Sequence, residues 1–377
     1  MAKNTNLGAA KAAKNDEFYT QYADIQKEIN AYLEYNPDTF RDKTVLLPCD
    51  DPEWSNFTRF FAQNFERLGL KRLISTSYAV ESKKYKNYQP TLFETESPLF
   101  DIDKTRIKGK IFELTYDTNG NGRIDIDDLE WHYLEGDGDF RSKEVCKLRD
   151  EADVIVTNPP FSLFREFISW LVSSNKRFLI IGNKNAITYK EVFPLIRDNK
   201  VWFGPSITSG DREFMVPRDY ETHSPSLRID EQGNKFIRVP GVHWFTNLDH
   251  GRRHEPLKLM TMKDNLRYSK HKDICEKGYY KYENYDAIDI PYTDAIPSDY
   301  DGIMGVPITF LDKYCPDQFV IIGSPHGDFG LELGLRPFPR ELKQINKGLR
   351  DGDLYYIVDG KPELPYRRIL IRKKTIE

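Results

Sequence analysis

Several absences narrow the classes of protein that this sequence of 377 residues can encode. It has no run of about 18 to 20 apolar residues, which is the length that a membrane-spanning helix requires. Its four cysteines lie far apart and form no CxxC pair, which argues against a disulfide scaffold or a cysteine-based zinc site. Its first residues include no apolar stretch typical of a secretory signal. We therefore expect a cytoplasmic protein with no membrane partner.

The sequence also lacks a strong net charge, but its charges are unevenly distributed. The formal total is only -4. Residues 101–140 nevertheless hold eleven acidic and five basic residues, whereas residues 251–281 hold nine basic and four acidic ones. Attraction to phosphate depends on the local face that a protein presents. The basic segment therefore leaves a nucleic-acid partner open despite the acidic total.

Apolar segments alternate with amphipathic stretches through the first half of the chain. This alternation is typical of strand–helix units and predicts an α/β fold with a mostly parallel sheet. The acidic residues 98–140 resemble an insertion, and short strands separated by turns replace the regular pattern after about residue 205. We predict a main domain over residues 1–205, an irregular substrate-facing region over 206–300, and a return to the main domain over 301–377.

The most informative residues are Asn158, Pro159, Pro160 and Phe161, between a predicted buried strand and a predicted helix. The two prolines fix φ and remove backbone donors, so the chain leaves the strand along one stiff path. Polar groups then project at the carboxyl edge of the sheet, where open α/β sheets bind ligands. The Asn158 oxygen and the Pro159 carbonyl can hold both N–H bonds of a ring amine, while Phe161 stacks on the ring. The alternative is a rigid turn with no chemistry.

This corner resembles the catalytic motif of S-adenosylmethionine-dependent amino-methyltransferases that act on adenine N6, a pattern shared with enzymes that methylate glutamine side chains. Further segments extend the resemblance to the EcoRI-type adenine-specific DNA modification methyltransferases. These segments are residues 15–21, 46–57, 136–142, 157–165, 181–190, 244–249 and 301–310. The resemblance implies a Rossmann-like methyltransferase sheet with an inserted acidic loop, and a target-recognition region over 206–300.

The same resemblance implies methyl transfer from S-adenosylmethionine to adenine N6 in a specific double-stranded DNA sequence, by base flipping. The enzyme would serve in restriction-modification or act as a solitary methylase, and we favour a monomer. The alternatives are a cytosine-N4 or RNA amino-methyltransferase, and a catalytically silent DNA-binding module on the same fold.

Carried over residue by residue, the resemblance makes Asn158, Pro159, Pro160 and Phe161 catalytic and assigns a second set to the cofactor. The cofactor set is Phe18, Tyr19, Thr20, Pro48, Cys49, Asp50, Asp51, Asp139 and Phe140. Asp50 has a simpler alternative role as a helix N-cap. The chain departs from the usual pattern in having no G-x-G-x-x-G loop. The end of its second predicted strand, residues 75–77, also lacks the acid that commonly holds the ribose hydroxyls.

The basic segment supplies candidates for binding the DNA backbone. Extruding a base costs a few kcal/mol, part of which phosphate contacts must supply. The candidates are Arg252, Arg253, Lys258, Lys263, Arg267, Lys270 and Lys272. The alternative for each residue alone is an ordinary solvated surface position.

Residues 117–128 match the spacing of a twelve-residue calcium loop. The predicted ligands are Asp117, Asn119, Asn121, Arg123 through its backbone carbonyl, Asp125 and Asp128. Asp128 replaces the usual glutamate, so a lower affinity or a preference for magnesium is expected. We predict a structural Ca2+ site, and the alternative is an Asp/Asn/Gly turn without metal.

Overall fold

A computed structural model describes most of the chain, and it divides the chain into two compact units. The described residues are 20–50, 55–79, 97–207, 212–216, 225–345 and 349–374. The first unit is Met1–Val192 with Trp202–His250, and the second is Phe193–Val201 with Gly251–Glu377.

The first unit contains one large and one small sheet. Its strands are β1 (Thr44–Leu47), β2 (Arg72–Ser77), β3 (Lys110–Leu114), β4 (Glu130–Tyr133), β5 (Val154–Thr157), β6 (Arg177–Asn183), β7 (Trp202–Phe203), β8 (Arg212–Val216), β9 (Arg228–Ile229), β10 (Lys235–Val239) and β11 (Val242–Thr246). Its helices are α1 (Tyr22–Tyr35), α2 (Asn56–Gln63), α3 (Phe65–Leu68), α4 (Ile102–Ile107), α5 (Lys143–Glu151) and α6 (Phe164–Ser173).

Eight strands form the large sheet, in the order β4-β3-β2-β1-β5-β6-β11-β7. β1 pairs in parallel with both β2 and β5, and β5 pairs in parallel with β6. The outer pairs are antiparallel. The predicted α/β class is confirmed, and the mixed sheet is consistent with a Rossmann-like fold. The strand order reverses between β1 and β5, so their carboxyl ends form the topological switch point at which such sheets bind ligands.

The residues of β1 and β5 are all buried, which explains why both strands read as continuous apolar runs. One face of the sheet shares a core with α1 and α2. That core includes Ile25, Ile29, Phe57, Phe60, Phe61, Val45, Leu47, Val154 and Val156. Burying each large apolar side chain contributes about 1.5–3 kcal/mol. The strand ends that would carry a site are thus attached to a rigid, well-packed layer.

Residues 98–140 are not an insertion outside the sheet. β3 pairs with β2, and β4 pairs with β3, so this segment extends the sheet as an antiparallel hairpin. Phe112 pairs with Trp131 across the hairpin, and both side chains are buried. Charged Lys110 and Glu113 interrupt the apolar pattern. The segment therefore looked like a loop in the sequence, although most of its acidic residues lie in the connections on either side of β4 and not in the strands.

The second unit contains a four-stranded sheet in the order β12-β13-β17-β14 and the hairpin β15-β16. The strands are β12 (Ala287–Asp289), β13 (Ile303–Pro307), β14 (Phe319–Gly323), β15 (Tyr356–Val358), β16 (Lys361–Glu363) and β17 (Arg368–Lys373). The helices are α7 (Phe193–Arg197), α8 (Met262–Tyr268), α9 (Lys272–Lys277), α10 (Asp328–Glu332) and α11 (Arg340–Ile345).

The predicted domain boundaries differ from this division. β11 inserts next to β6 in the large sheet, which keeps residues 202–250 in the first unit. Residues 301–377 do not return to the first domain, because β13, β14 and β17 pair with one another. A buried ion pair between Arg368 of β17 and Asp289 of β12 (2.7 Å) links two strands of the second sheet that are far apart in sequence. The boundaries of the two units are therefore set by pairing between strands that are far apart in the sequence.

A buried carboxyl lies between α1 and the residues that follow β7. Glu28 accepts hydrogen bonds from the Tyr32 hydroxyl (2.9 Å) and the Ser206 amide (2.9 Å). A Cβ atom at Gly204 would lie only 1.9 Å from the Glu28 Oε1 atom, so this approach requires glycine. Burial raises the pKa of Glu28 to about 7, although the hydrogen bonds oppose the shift. Glu28 therefore couples folding to pH in the neutral range.

We predict that Glu28→Gln flattens the pH dependence of stability. Between pH values of about 4.5 and 7 the folded carboxyl keeps a proton that the unfolded carboxyl has lost, so the free energy of unfolding falls as pH rises. The full loss, reached above pH 7, is roughly 3 kcal/mol. Urea unfolding across this range would measure it, with Glu34→Gln on the exposed face of α1 as the control. A wild-type protein and a Glu28→Gln variant with the same pH dependence would contradict this assignment.

Candidate active site at the carboxyl edge of the sheet

Asp50 lies just beyond the end of β1, and neighbouring polar groups hold it in place. Its side chain is buried, and its Oδ1 atom accepts a hydrogen bond from the Ser55 hydroxyl (2.8 Å). Its backbone amide donates to the Thr76 carbonyl (2.9 Å), and the Ser75 hydroxyl donates to its carbonyl (2.5 Å). The N-cap of α2 is Ser55 and not Asp50. The alternative role of Asp50 as an N-cap is therefore wrong, and its carboxylate is oriented by the residue that caps the helix.

The Asn-Pro-Pro-Phe corner follows β5, which is the direct neighbour of β1. The Thr157 hydroxyl donates a hydrogen bond to the Pro48 carbonyl (2.6 Å), which ties the two strand ends together. Pro159 is buried, whereas Asn158, Pro160 and Phe161 are partly exposed. A 3-10 turn over Phe161–Leu163 then leads into α6. The structure thus brings the predicted catalytic corner beside Pro48 and the Asp50 loop.

Thr20 connects the N-terminal element to the same edge of the sheet. Its carbonyl accepts a hydrogen bond from the side chain of Asn56 (2.8 Å), the first residue of α2 and the neighbour of Ser55. Thr20, which was predicted to lie near the methionine part of the cofactor, is thus joined to the first residue of α2. Three other predicted cofactor residues, Phe18, Tyr19 and Asp51, lie outside the described residues.

Asp139 and Phe140, which were also predicted to bind the cofactor, have different surroundings. The Asp139 carboxylate accepts hydrogen bonds from the backbone and guanidinium of Arg141, which also pairs with Glu166 of α6 (2.7 Å). Burial acts to raise the pKa of Asp139, but the bonds and charge of Arg141 outweigh it and lower the pKa. The Phe140 ring is fully buried and packs edge-on against Phe167 (5.0 Å). Its ring belongs to the core beside α6.

Two features of this edge were not found from the sequence. Cys49 has a φ of 65°, a left-handed conformation that is uncommon for a residue other than glycine and often marks a functional site. Its Sγ atom lies 3.4 Å from the hydroxyl of Tyr78, the residue that directly follows β2. The position of Tyr78 after a strand was the only sequence signal that could have indicated it.

The residues at this edge fit a polar nucleotide-like ligand. Asp50 offers a carboxylate whose position is fixed by the hydrogen bond from Ser55, and Cys49 and Tyr78 offer further polar atoms. Within the described chain, the side-chain hydroxyls of Thr20 and Thr76 are buried and have no hydrogen-bond partner. Buried polar groups are nearly always satisfied. A ligand with several donors and acceptors would suit these strand ends.

Most of the predicted DNA-contacting residues lie on the surface of the second unit. Lys258, Lys263, Arg267, Lys270 and Lys272 are exposed, and Arg252 is partly exposed. Lys270 also pairs with Asp294 (2.7 Å).

Arg253 is the exception. It is buried, and its guanidinium donates a hydrogen bond to the Asn199 side chain (2.5 Å). The prediction of Arg253 as a phosphate contact is therefore wrong, because its charged group is turned into the second unit.

The 117–128 segment connects β3 to β4 and closes on its own backbone. Asp117 accepts hydrogen bonds from three amides of the loop, and Asp128 accepts from three amides and a hydroxyl. Asn119, Asn121 and Asp125 each accept from the amide two residues further on, so the Arg123 amide bonds to Asn121. Among the described residues, no group of three or more His, Cys, Asp or Glu side chains could hold a metal. The calcium prediction is not supported, because turn hydrogen bonds engage all five predicted side-chain ligands.

We predict that Asp128→Asn destabilises the protein, whereas a chelator leaves the melting temperature of the wild-type protein unchanged. The amides of Asp125, Thr118 and Asn119 lower the pKa of Asp128. The stability from its ionised form is present above the pKa of the unfolded carboxyl and is lost as pH falls through the lower folded pKa. The difference between wild type and Asp128→Asn should therefore shrink below about pH 4.

Thermal melts with and without chelator would test this prediction, with Asp127→Asn at the exposed neighbouring position as the control. A clear drop in the wild-type melting temperature on chelation would instead favour a bound metal.

Within the described part of the chain, no helix combines the length and the apolar character needed to cross a bilayer. The site-bearing unit has an α/β sheet whose switch point carries a held carboxylate next to an Asn-Pro-Pro-Phe corner. This combination is consistent with a Rossmann-like enzyme that binds its ligands at the switch point.

Comparison with known proteins then places the chain more closely. The family model described as "Adenine-specific methyltransferase EcoRI" matches residues 6–374, and the chain belongs to this family. It is an adenine-specific DNA methyltransferase.

Three curated relatives agree. The chain is 41% identical over 376 residues to the type II methyltransferase M.EcoRI of Escherichia coli, an alignment that covers 100% of this chain and 98% of that protein. It is 35% identical to M.MgeORF184P of Mycoplasma genitalium, covering 98% and 99% of the two chains. It is 34% identical to M.MpnI of Mycoplasma pneumoniae, covering 83% of each chain. No solved structure matches the chain.

Proposed function

We propose that this protein transfers a methyl group from S-adenosylmethionine to adenine N6 in a specific double-stranded DNA sequence, with the target base flipped out of the duplex. The observation that carries the proposal is the Thr157–Pro48 hydrogen bond, which joins the residue before Asn158 to the end of β1 two residues before Asp50. The relatives named as type II methyltransferases support a role in restriction-modification.

The Asn158 corner would help the adenine amine, which is a poor nucleophile, to attack the methyl group. The lone pair of the adenine amine is delocalised into the ring, so the amine needs help before it can react. The Asn158 oxygen and the Pro159 carbonyl would accept its two N–H bonds and favour a more tetrahedral nitrogen, and Phe161 would stack on the ring. An amide is too weak a base to remove a proton at neutral pH. Positioning and electrostatics must therefore supply most of the rate increase.

The Asp50 loop would hold the methyl donor beside the corner. S-adenosylmethionine supplies a methyl group bonded to a positively charged sulfur, which the amine can attack directly without a covalent enzyme intermediate. A carboxylate such as Asp50 accepts hydrogen bonds from ammonium or hydroxyl groups. We assign Pro48, Cys49 and Thr20 to the same pocket on the contacts described above. Phe18, Tyr19, Asp51 and Asp139 complete the proposed set, and Phe140 would support it from the core.

The exposed cations of the second unit would bind the DNA backbone. Base extrusion costs a few kcal/mol. Stacking on an aromatic ring such as Phe161 returns about 1–3 kcal/mol, and phosphate contacts supply more. The proposed contacts are Arg252, Lys258, Lys263, Arg267, Lys270 and Lys272. Their partial or full exposure and their shared charge support this assignment, which leaves out the buried Arg253.

Transfer of a labelled methyl group to unmethylated DNA, followed by digestion to nucleosides, tests the function. N6-methyladenine as the sole labelled base supports the proposal. N4-methylcytosine, or transfer to RNA alone, would indicate one of the other amino-methyltransferases. DNA binding without any transfer would indicate a silent module.

We predict that Asn158→Ala lowers kcat by about 10²–10³-fold, the range expected when one preorganised polar contact to the reacting group is lost. Binding of S-adenosylhomocysteine should stay within about twofold of wild type, because Asn158 is assigned to the target amine and not to the donor. Single-turnover methylation and calorimetric titration give the two values. Asn36→Ala, at an exposed asparagine of the first unit, is the control. An Asn158→Ala variant with wild-type turnover would refute the assigned role.

We also predict that Lys263→Ala, Arg267→Ala and Lys272→Ala each weaken DNA binding by a similar factor for specific and nonspecific duplexes. Each lost phosphate contact should reduce the slope of log K against log salt by about 0.9. Fluorescence anisotropy at several salt concentrations measures both quantities. Lys71→Ala is the matched control. This exposed lysine precedes β2 and so lies at the amino edge of the large sheet, away from the carboxyl edge that carries the site. Unchanged slopes in all three variants would remove the basic surface from the proposal.

A further inference from the structure

Tyr78 directly follows residues 75–77, the strand end at which this chain lacks the usual acid. It follows β2 directly, at the carboxyl edge of the sheet and next to the end of β1. Ser75, three residues before Tyr78, already uses its hydroxyl within the protein. This hydroxyl donates to the Asp50 carbonyl and lies 2.9 Å from the Thr58 hydroxyl. Beyond the buried Thr76 hydroxyl, Tyr78 is the residue after β2 whose side chain brings an O–H donor to this edge.

The backbone before Tyr78 is clamped by close contacts that only glycine permits. A Cβ atom on Gly138 would lie 2.2 Å from the Ser77 carbonyl oxygen, and one on Gly109 would lie 2.6 Å from it. Gly138 also has a φ of +86°, which favours glycine. On the other side, the Ala79 amide donates to the Asp137 carbonyl (2.8 Å). The position of Tyr78 relative to residues 136–140 is therefore fixed by the backbone.

The hydroxyl of Tyr78 lies close to two of the proposed cofactor residues, Cys49 and Phe140. It accepts a hydrogen bond from the Cys49 thiol (3.4 Å), and the Phe140 backbone is a second hydrogen-bond partner. Burial, followed by the nearby Cys49 and Asp139, raises the pKa of Tyr78 far above its usual value, so the hydroxyl keeps its proton. Because the hydroxyl stays protonated, it keeps a hydrogen that it can donate to a ligand acceptor.

We propose that the Tyr78 hydroxyl donates a hydrogen bond to the nucleoside part of the methyl donor, in place of the missing acid. The inference rests on the proposed function, since it requires that the strand ends bind this donor. Ribose hydroxyls and adenine ring nitrogens are both acceptors for an O–H group. The strained Cys49 backbone and the glycine clamp would serve to hold the hydroxyl in place from both sides.

Calorimetric titration of S-adenosylhomocysteine into wild type, Tyr78→Phe and Tyr116→Phe tests the inference. Tyr78→Phe keeps the ring and removes only the hydroxyl, and Tyr116 is an exposed tyrosine of the same unit. We expect Tyr78→Phe to raise Kd about fivefold, the effect of one net hydrogen bond. The same factor should appear for 5′-methylthioadenosine, which retains the nucleoside and lacks the amino acid. Tyr116→Phe should bind like wild type, and Tyr78→Phe should still unfold in one cooperative transition, with a small loss of stability from its unsatisfied partners.

The outcomes separate this inference from the function on which it rests. If Tyr78→Phe binds both ligands as tightly as wild type, the inference is wrong and the proposed function stands. A loss for S-adenosylhomocysteine but not for 5′-methylthioadenosine would also overturn it, because the contact would then be to the amino acid part. If wild type binds neither ligand, the proposed function fails and the inference fails with it.

Discussion

The parallel pairing of β1 with β5 is the constraint on which the site depends. It aligns two strands that are about a hundred residues apart in sequence, with Val45 opposite Val154 and Leu46 opposite Ile155. Because parallel strands end at the same edge of a sheet, the Asp50 loop and the Asn158 corner must emerge side by side. The Thr157–Pro48 hydrogen bond then sets the final distance between the two loops.

Buried polar contacts, rather than apolar packing, determine the geometry at the strand ends. Thr58 and Ser75 lie 2.9 Å apart, Ser75 donates to the Asp50 backbone, and Ser55 donates to the Asp50 carboxylate. Each such bond contributes only about 1 kcal/mol to stability, but leaving one partner unsatisfied costs more. The network therefore fixes the position of Asp50 at the end of β1, without the glycine-rich pattern that other nucleotide-binding loops use.

The sequence predicted what depends on short segments, and it failed where distant contacts decide. The Asn158 corner and the Asp50 loop were predictable because each directly follows a continuous apolar strand. The β3–β4 hairpin was missed because charged residues break its apolar pattern. The burial of Arg253 could not be predicted, because it depends on a contact with Asn199, which is more than fifty residues away in the sequence. The calcium spacing is ambiguous in principle, since the same Asp and Asn positions that ligate a cation also accept amides in a closed turn.

The chemistry of the corner explains why it needs to be stiff. Asn158 cannot act as a general base, so its contribution to the rate depends on holding an amine in the reactive orientation. A displacement of about 1 Å can cost a factor of about 100 in such a step. Pro159 and Pro160 restrict the backbone on one side, the Thr157 hydrogen bond holds the strand end on the other, and Leu163 donates to the Pro160 carbonyl (2.9 Å) where the next turn begins. The corner is thus restrained by neighbours on both sides of Asn158, as a mechanism based on positioning requires.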